Sequence, residues 1–565
     1  PMVDFDFAAK SYAKNGLAAA FDDIFTYTRA SSATFTNRRL KKNGGYEYFL
    51  DTDYVGSVTN LLTYSEDFTD SDWSKGDVSV TANATKNHLG DMVADKLVAL
   101  ASTADHYVSQ SGVGNTFYLY VKAAENSFIT LVALGVGNTN ASFNLASGTV
   151  GTTLSNVSST EIKNLNNGWL RVSVTWAVNI TSVRIYPTKT NNGTTWLGDG
   201  TSGVYIWGAQ LTQSAKPLPY VKTLDVAVTK TFTETLRTEY DAVTGENLGA
   251  LIEGGSTNLF TYSETMGSTG WATGTLDTIL QNVKKAPDDT ITMASITSGA
   301  TIGSSYIRKN IVLTAGVTYT VSVYASSNDT FTTGNIIQVY GSTSGTRLTV
   351  PLATSGLTSE TKRYTGTFTA TTTENHTIYL AVDADANKTI EVWGAQLEEL
   401  PFASSYIRTE GAAVSRSSDN LSLPASVLLK NLPITVNAKF DTYQGTTPAT
   451  QRHLFRNYGT VPIIRAYITT DGTNITTSAG SDAVSFGVTD SLFNGELTIV
   501  GTDSTLATYN NKTLAQSIAN TTPWRSDLTG VTYIGGNGGG QHINGHISKF
   551  KTYAQALTAQ EITLL

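Results

Sequence analysis

The sequence predicts an all-β protein of several domains, built from β-sandwiches, one of which is written twice. Three observations predict it. Apolar and polar residues alternate with a two-residue period, as in Phe117, Leu119 and Val121 set between Tyr118, Tyr120 and Lys122. Clusters of Asn, Gly, Ser and Thr, such as Gly135 to Asn140 and Asn191-Asn192-Gly193, interrupt these runs every ten or so residues, and no long amphipathic helix appears between them. Thr59-Asn60-Leu61-Leu62-Thr63-Tyr64-Ser65-Glu66 returns as Thr257-Asn258-Leu259-Phe260-Thr261-Tyr262-Ser263-Glu264, with Leu62 becoming Phe260.

Each opening phrase runs on, past Trp73 or Trp271, to an identical closing phrase. These are Trp207-Gly208-Ala209-Gln210-Leu211 and Trp393-Gly394-Ala395-Gln396-Leu397, followed in step by Pro219-Tyr220-Val221 and Ser405-Tyr406-Ile407. The phrases bracket two copies of one domain, at 56–222 and 256–408. In the first, Leu170, Val172 and Val174 alternate, and Val204 and Ile206 precede Trp207. In the second, Tyr319, Val321 and Val323 take the place of Phe117, Leu119 and Val121, Ile378, Leu380 and Val382 alternate, and Ile390 and Val392 precede Trp393. This pattern sets both closing tryptophans on the face opposite the aliphatics, as packing anchors in preference to a sugar-binding platform.

The remaining chain falls into three parts. Residues 1–55 form an irregular N-terminal attachment segment with apolar anchors at Phe5, Phe7, Leu17, Phe21 and Phe25; its basic run Arg38 to Lys42 reads as a solvated turn in preference to a docking contact with a larger assembly. Residues 223–255 are a structured connector, with a tight turn at Val243-Thr244-Gly245-Glu246 between strands. Residues 409–565 form a third region, in which Val436, Ala438 and Phe440 alternate and Thr558 with Glu561 caps a short terminal helix.

Composition narrows the function. Charged residues are 15% of the chain, below the ~25% usual for soluble domains. A net charge of −8, spread without a basic block, offers no phosphate-tracking surface, so nucleic acid is not an expected partner. Cysteine is absent, which removes disulfides and thiolate metal sites. No apolar run reaches the ~20 residues of a membrane helix, and membrane insertion is not expected. No secretory signal opens the chain.

The phrases Tyr27-Thr28-Arg29-Ala30-Ser31-Ser32-Ala33-Thr34-Phe35, Tyr240 to Ile252, the two opening phrases, the two closing phrases and Asn167 to Ser173 together resemble bacteriophage fibre and spike structural proteins. The resemblance implies that the copies are jelly-roll sandwiches like carbohydrate-binding modules. The third region resembles a concanavalin/laminin-G-like sandwich through Ile534-Gly535-Gly536 and its tail from Gly545 to Leu565. The implied function is a non-enzymatic virion fibre or spike, a homotrimer that binds bacterial surface polysaccharide and other virion proteins. It is made in the host cytoplasm and displayed on the virion surface after lysis. One alternative is a head or tail decoration fibre with a structural role, and a second is a polysaccharide depolymerase.

Catalytic motifs are missing: there is no Gly-x-Ser-x-Gly elbow, His-Glu-x-x-His pair or phosphate loop. His542 and His546 lie four apart beside glycine-rich loops, and Asp383-Ala384-Asp385-Ala386-Asn387 opens like a calcium loop without its central glycine or late glutamate. Neither reads as a metal site, and no cofactor is expected. A glycosidase needs two carboxylates at a set separation, which sequence does not give. For sugar binding, the loop-like stretch with Trp524, Asn537 and His542 supplies the candidate residues and the tip of the fibre. The competing reading makes Trp524 a core residue and the glycines turn formers.

Overall fold

The computed structural model of the chain describes residues 3–14, 17–40, 46–242, 244–267, 270–274, 276–300, 306–331, 335–341, 347–348, 356–382, 385–424, 433–443, 451–458, 465–469, 474–479, 482–487, 494–502, 504–519, 531–536 and 541–565. Among these, strands dominate throughout, and the α-helix Ala559–Ile562 closes the chain. That helix has its capping box: Thr558 Oγ1 accepts from Glu561 N at 3.3 Å, and the Glu561 carboxylate accepts from Thr558 N at 2.7 Å.

In the first sandwich, alternation buries Phe117, Leu119, Val121, Leu170, Val172, Val174, Val204 and Ile206 in one core. Two strands, Tyr107–Ala123 of 17 residues and Trp169–Thr188 of 20, are long enough to belong to both sheets. Their halves 116–123 and 169–176 lie in a closing sheet, ordered Val78–Lys86, Met92–Ala99, Gly203–Thr212, 116–123, 169–176, Val157–Asn164. Their halves 107–111 and 182–188 lie in an outer sheet, ordered Ser74–Gly76, 107–111, 182–188, Phe128–Leu134, Ala141–Asn144, Thr149–Thr153.

The second sandwich repeats both orders among the described residues, without a counterpart of the last strand in each. Its closing sheet runs Leu276–Lys285, Ile291–Ser298, Thr389–Glu398, Thr318–Ser326, Lys362–Thr369. Its outer sheet runs Ala272–Thr273, Ile307–Leu313, Glu374–Val382, Asn335–Gly341, Arg347–Leu348. Apart from a few hairpins within one sheet, successive strands cross from one sheet to the other, which makes both copies antiparallel sandwiches of jelly-roll type.

The repeated phrases form the same joint twice. In each closing strand a β-bulge falls after the tryptophan, where Gly208 (φ 61°) and Gly394 (φ 64°) adopt a conformation that favours glycine. The bulge shifts the alternation by one residue. Val204, Ile206, Ala209 and Leu211 therefore all face the core, while Trp207 packs on the other face with Tyr118, Tyr120 and Tyr220. Asn60, fully buried, donates to Ala209 O (3.1 Å) and Val221 O (2.9 Å) and accepts from Leu62 N and Leu211 N. Asn258 repeats all four bonds with Ala395, Ile407, Phe260 and Leu397. Gln210 and Gln396 accept from Val221 N and Ile407 N, clamping the segment that leaves each sandwich. The opening and closing phrases are thus the two ends of each copy, locked by side-chain amides that satisfy backbone groups no strand partner reaches.

The third sandwich is not confined to residues 409–565. Val3–Asp6 pairs with Gly545–Tyr553, setting Phe5 opposite Phe550. Asn247–Ile252 continues along the same edge, with Ala250 opposite Ile547. Thr26–Thr28 joins the facing sheet beside Asn420–Pro424. Phe5, Phe7, Ile24, Phe25, Ala250 and Ile252 share a core with Val436, Ala438, Phe440, Leu497 and Ile534. The segment expected at 1–55 is therefore divided: its first thirty residues complete this sandwich, and Ala33–Leu40 with Tyr46–Asp53 forms a hairpin against the second copy. The physical reason is burial. Phe5, Phe7, Phe21 and Phe25 in a short irregular segment cannot cover one another, and full burial of such a side chain in a larger core gains ~1.5–3 kcal/mol, whereas Leu17 stays 74% exposed. The connector hairpin is as expected, with Gly245 at φ 77°.

Where these segments meet, three buried arginines and three carboxylates interlock. Arg29 pairs with Asp53 and Asp419, Arg237 with Glu253 (2.9 Å) and Asp419, and Arg416 with Glu253 (3.5 Å) and Asp419 (3.9 Å). Arg29 and Arg237 each stand before a hairpin, and Asp53 and Glu253 end those hairpins just ahead of each copy.

The two copies also touch directly. The edge strand of the first, Val157–Asn164, reaches the 286–290 loop of the second through a bridge from Lys163 to Thr290. Asn164 N donates to Asp289 O at 3.3 Å, and beside it Leu50 N of the N-terminal hairpin donates to Pro287 O at 2.8 Å.

Candidate functional site

Strand alternation decides which side chains a sheet shows to its surroundings. In the outer sheet of the second sandwich, Ile307, Ile337, Val339, Ile378 and Leu380 point into the core. Tyr306, Arg308, Gln338, Tyr340 and Tyr379 consequently stand on the other face. Register then lines them up. Arg308, Tyr379 and Gln338 form one cross-strand row, and Asn310, Thr377 and Tyr340 form the next. Tyr379 packs edge-on against Tyr306 (4.9 Å, 90°) and Tyr340 (5.6 Å, 83°), while the Arg308 guanidinium lies 5.6 Å over Tyr306. Thr377 donates to Asn310 Oδ1 at 3.0 Å. The rings are half-buried, so each keeps an accessible part.

The same sheet of the first sandwich carries a related group. Val108, Leu131, Ala133, Val183 and Ile185 face inward, leaving Tyr107, Ser109, Val132, Arg184 and Tyr186 on the outer side. Arg184 lies 4.0 Å over the Tyr107 ring and donates to the Tyr186 hydroxyl at 3.2 Å. Ser109 and Val132 flank Arg184 in register, as Arg308 and Gln338 flank Tyr379. Arg184 stands where the second copy has Tyr379, and Ser109 where it has Arg308, but both faces combine arginine and tyrosine. Burial pushes the Tyr186 phenol up, so it stays protonated as a donor. Burial would lower Arg184, but the bond to Tyr186 and the nearby acceptors outweigh it and hold the cation.

Such a face suits a hydroxyl-rich ligand. Tyrosine rings offer flat apolar area at small entropic cost, and arginine, glutamine and asparagine offer donors and acceptors beside it. Among the described residues, no three His, Asp or Glu side chains gather as a metal would require. None of the described helices is long and apolar enough to cross a membrane.

The sequence-based candidates lie elsewhere. Trp524 and Asn537 fall outside the described residues, as do the glycines at 538–540 and Asp383 of the calcium-like run. His542 is 2% exposed and faces the interior, with Nε2 3.4 Å from Asn420 Oδ1 and Gly536 packed against its ring. It lies on a loop, as expected, but it is buried, with Gly254 of the connector beside its ring. His546 is buried too, 2.9 Å from Glu239 and 3.5 Å from Asp441. Burial alone would lower its pKa, but those two carboxylates raise it to about 9. The tyrosine faces went unmarked because reading a strand for its core residues, such as Ile378 and Leu380, passes over the residue between them. Tyr306 and Tyr379 are adjacent only through pairing.

Neither a protein-family model nor a curated protein matches the chain. Among solved structures, the N-terminal CBM22-1–CBM22-2 tandem domain of Paenibacillus barcinonensis Xyn10C is similar at 11% identity and a TM-score of 0.19, covering 60% of this chain and 97% of that one. The ANXUR1 extracellular domain from Arabidopsis thaliana is similar at 8% identity and a TM-score of 0.17, covering 65% and 96%. A structure of the plant peptide RALF23 in complex with FER and LLG2 gives 11% identity and a TM-score of 0.14, covering 61% and 96%. At these scores the sandwich assignment rests on the sheets of this chain alone.

Proposed function

We propose that this chain is a non-enzymatic, glycan-binding fibre or spike of a virion surface, and that it holds bacterial polysaccharide on the tyrosine faces of its duplicated sandwiches. One observation carries the reading: the outer sheet of each copy presents tyrosines beside an arginine, on the side away from its core. The virion setting rests on the phrase resemblance, and the interlocked joints of the two copies also favour the alternative of a structural spacer. Weak single sites are expected, because sugar binding also loses conformational freedom. Presentation as a homotrimer would raise avidity by roughly 10²–10⁴ where geometry allows.

The test is binding of host capsule or lipopolysaccharide by titration calorimetry, comparing the intact protein with Tyr379→Ala and Tyr107→Ala. Loss of one stacking ring is expected to weaken its face about tenfold, ~1.4 kcal/mol. Unchanged affinity in the double variant, with both proteins folded, excludes these faces. The same incubations are expected to release no shorter fragments; release of fragments favours the depolymerase.

A further inference from the structure

Because the copies share one fold, their equivalent surfaces can be compared, and one such pair differs sharply. In the second sandwich, Trp393, Tyr406, Glu264 and Arg408 line a cleft of about 420 Å³ with the 286–290 loop, and the N-terminal hairpin and the edge of the first sandwich together fill its mouth. Leu50 packs against Trp393, Tyr406 and Met293. The Glu161 carboxylate comes 3.8 Å from Arg408, and the strand Val157–Asn164 bridges to Thr290. Trp393 is fully covered, and its indole donates to Thr292 Oγ1 at 2.9 Å.

The first sandwich has the same socket without an occupant. Trp207, Tyr220, Glu66 and Lys222 hold the corresponding places, around a cleft of about 840 Å³. The loop is built alike: Asn87 N donates to Asp91 O at 2.8 Å, as Ala286 N does to Thr290 O at 2.7 Å. One apolar residue that lines it is left out, Leu89 at 68% exposed. Two buried donors that line it, Trp207 Nε1 and Asn87 Nδ2, have no hydrogen-bond partner among the described residues, although Trp207 is 5% exposed and Asn87 2%. Buried donors seldom stay unpaired. Lys222 pairs with Glu66 at 2.6 Å but keeps 58% of its side chain exposed, whereas Arg408 gathers Glu264, Glu161 and Glu410.

We infer that the open socket around Trp207 is a docking site for the edge of a β-sandwich belonging to a separate protein of the same assembly. The occupant of the equivalent socket describes the partner. It brings an edge strand to pair with the backbone at Asp91 and a carboxylate to Lys222; the aliphatic contact on Trp393 comes from Leu50 of the N-terminal hairpin and lies outside that edge. Pairing at a strand edge supplies backbone hydrogen bonds, and the flanking side chains supply selectivity. The site is separate from the tyrosine faces, so it leaves glycan binding undisturbed.

The probe is a synthetic peptide with the sequence of residues 156–165, the edge strand seen in the occupied socket. It is added in excess to the full-length chain, and hydrogen exchange is followed at amides 87–91 together with Trp207 fluorescence. Protection of that loop, lost in Leu89→Arg, is expected. Lys222→Glu is expected to weaken the peptide about fivefold, and a peptide carrying Glu161→Lys to restore it, as for an exposed ion pair. No protection at millimolar peptide, or no response to the charge swap, overturns the proposal. Concentration-dependent self-association that Leu89→Arg abolishes assigns the socket to a second copy of this chain instead. Protection by polysaccharide rather than peptide makes it a sugar site, and either result overturns the assignment to a separate protein.

Discussion

The two jelly-roll copies reach one topology by different chain devices. The first turns the corner between its sheets without leaving strand geometry, by bending Tyr107–Ala123 and Trp169–Thr188. Register shifts gather at Ser111, Gly114 and Thr116, where a side chain at Gly114 would lie 2.8 Å from Thr212 O. The second breaks each of these strands in two. Between Leu313 and Thr318 the chain makes a turn with Gly316 at φ 78°, closed by Gly316 N donating to Ala370 O at 2.8 Å. What persists through these changes is the joint of Asn, Gln, Trp and Tyr at the ends of each copy. A corner needs only that two sheets be connected, whereas the joint must satisfy particular buried backbone groups, and few side chains can do that.

The largest effect is expected where each copy is tied to the third sandwich. Arg237→Met leaves Glu253 and Asp419 buried and short of a cation, at a cost of ~3–5 kcal/mol. Arg29→Met is expected to cost less, because its partner Asp53 reaches water. Burial would raise the Glu253 carboxyl, but Arg416 and Arg237 bring it down to about 2. Its contribution is therefore present above its unfolded value of 4.5 and lost as pH falls through about 2, so acid unfolding of Arg237→Met begins at higher pH. Urea melts across that range check both statements, and equal losses for the two arginines would refute the ranking.

Next comes the joint. Asn60→Ala and Asn258→Ala each remove four buried hydrogen bonds, and each is expected to destabilise its copy by roughly 3 kcal/mol. Similar shifts in the two unfolding midpoints support equivalence; a large difference breaks it. The corners follow. Gly114→Ala meets a backbone oxygen and is expected to cost ~1–3 kcal/mol. Gly316→Ala has open space and only its positive φ to pay for, ~1 kcal/mol. The reverse order would mean that the bent strand relaxes more easily than the turn.

The smallest effect concerns the contact between the copies. Burial raises the Glu264 carboxyl to about 7, with Asp288 and Glu161 adding to it and Arg408 opposing. Its folded value exceeds the unfolded 4.5, so its contribution is complete below pH 4.5 and lost as pH rises through about 7. Hydrogen exchange at the 286–290 loop is expected to quicken over that range, and Glu264→Gln to flatten the change.

Much of this was legible in the residues. Local alternation determines which of Phe117, Tyr118 and Leu119 enters the core, because a strand has a fixed two-residue period. The paired phrases determine that the copies share a fold, and Thr558 with Glu561 determines a helix start. These features depend on neighbours in the chain. Tertiary structure alone decided that Phe5 pairs opposite Phe550, that Ala250 lies beside Ile547, and that Tyr306 meets Tyr379. It also decided that His542 is buried, and that one of two equivalent sockets is filled and the other open. The physical reason is that strand pairing runs through backbone N–H and C=O groups that every residue but proline carries alike. The side chains state that a strand wants a partner, and only the packing of the whole core selects which distant strand it is.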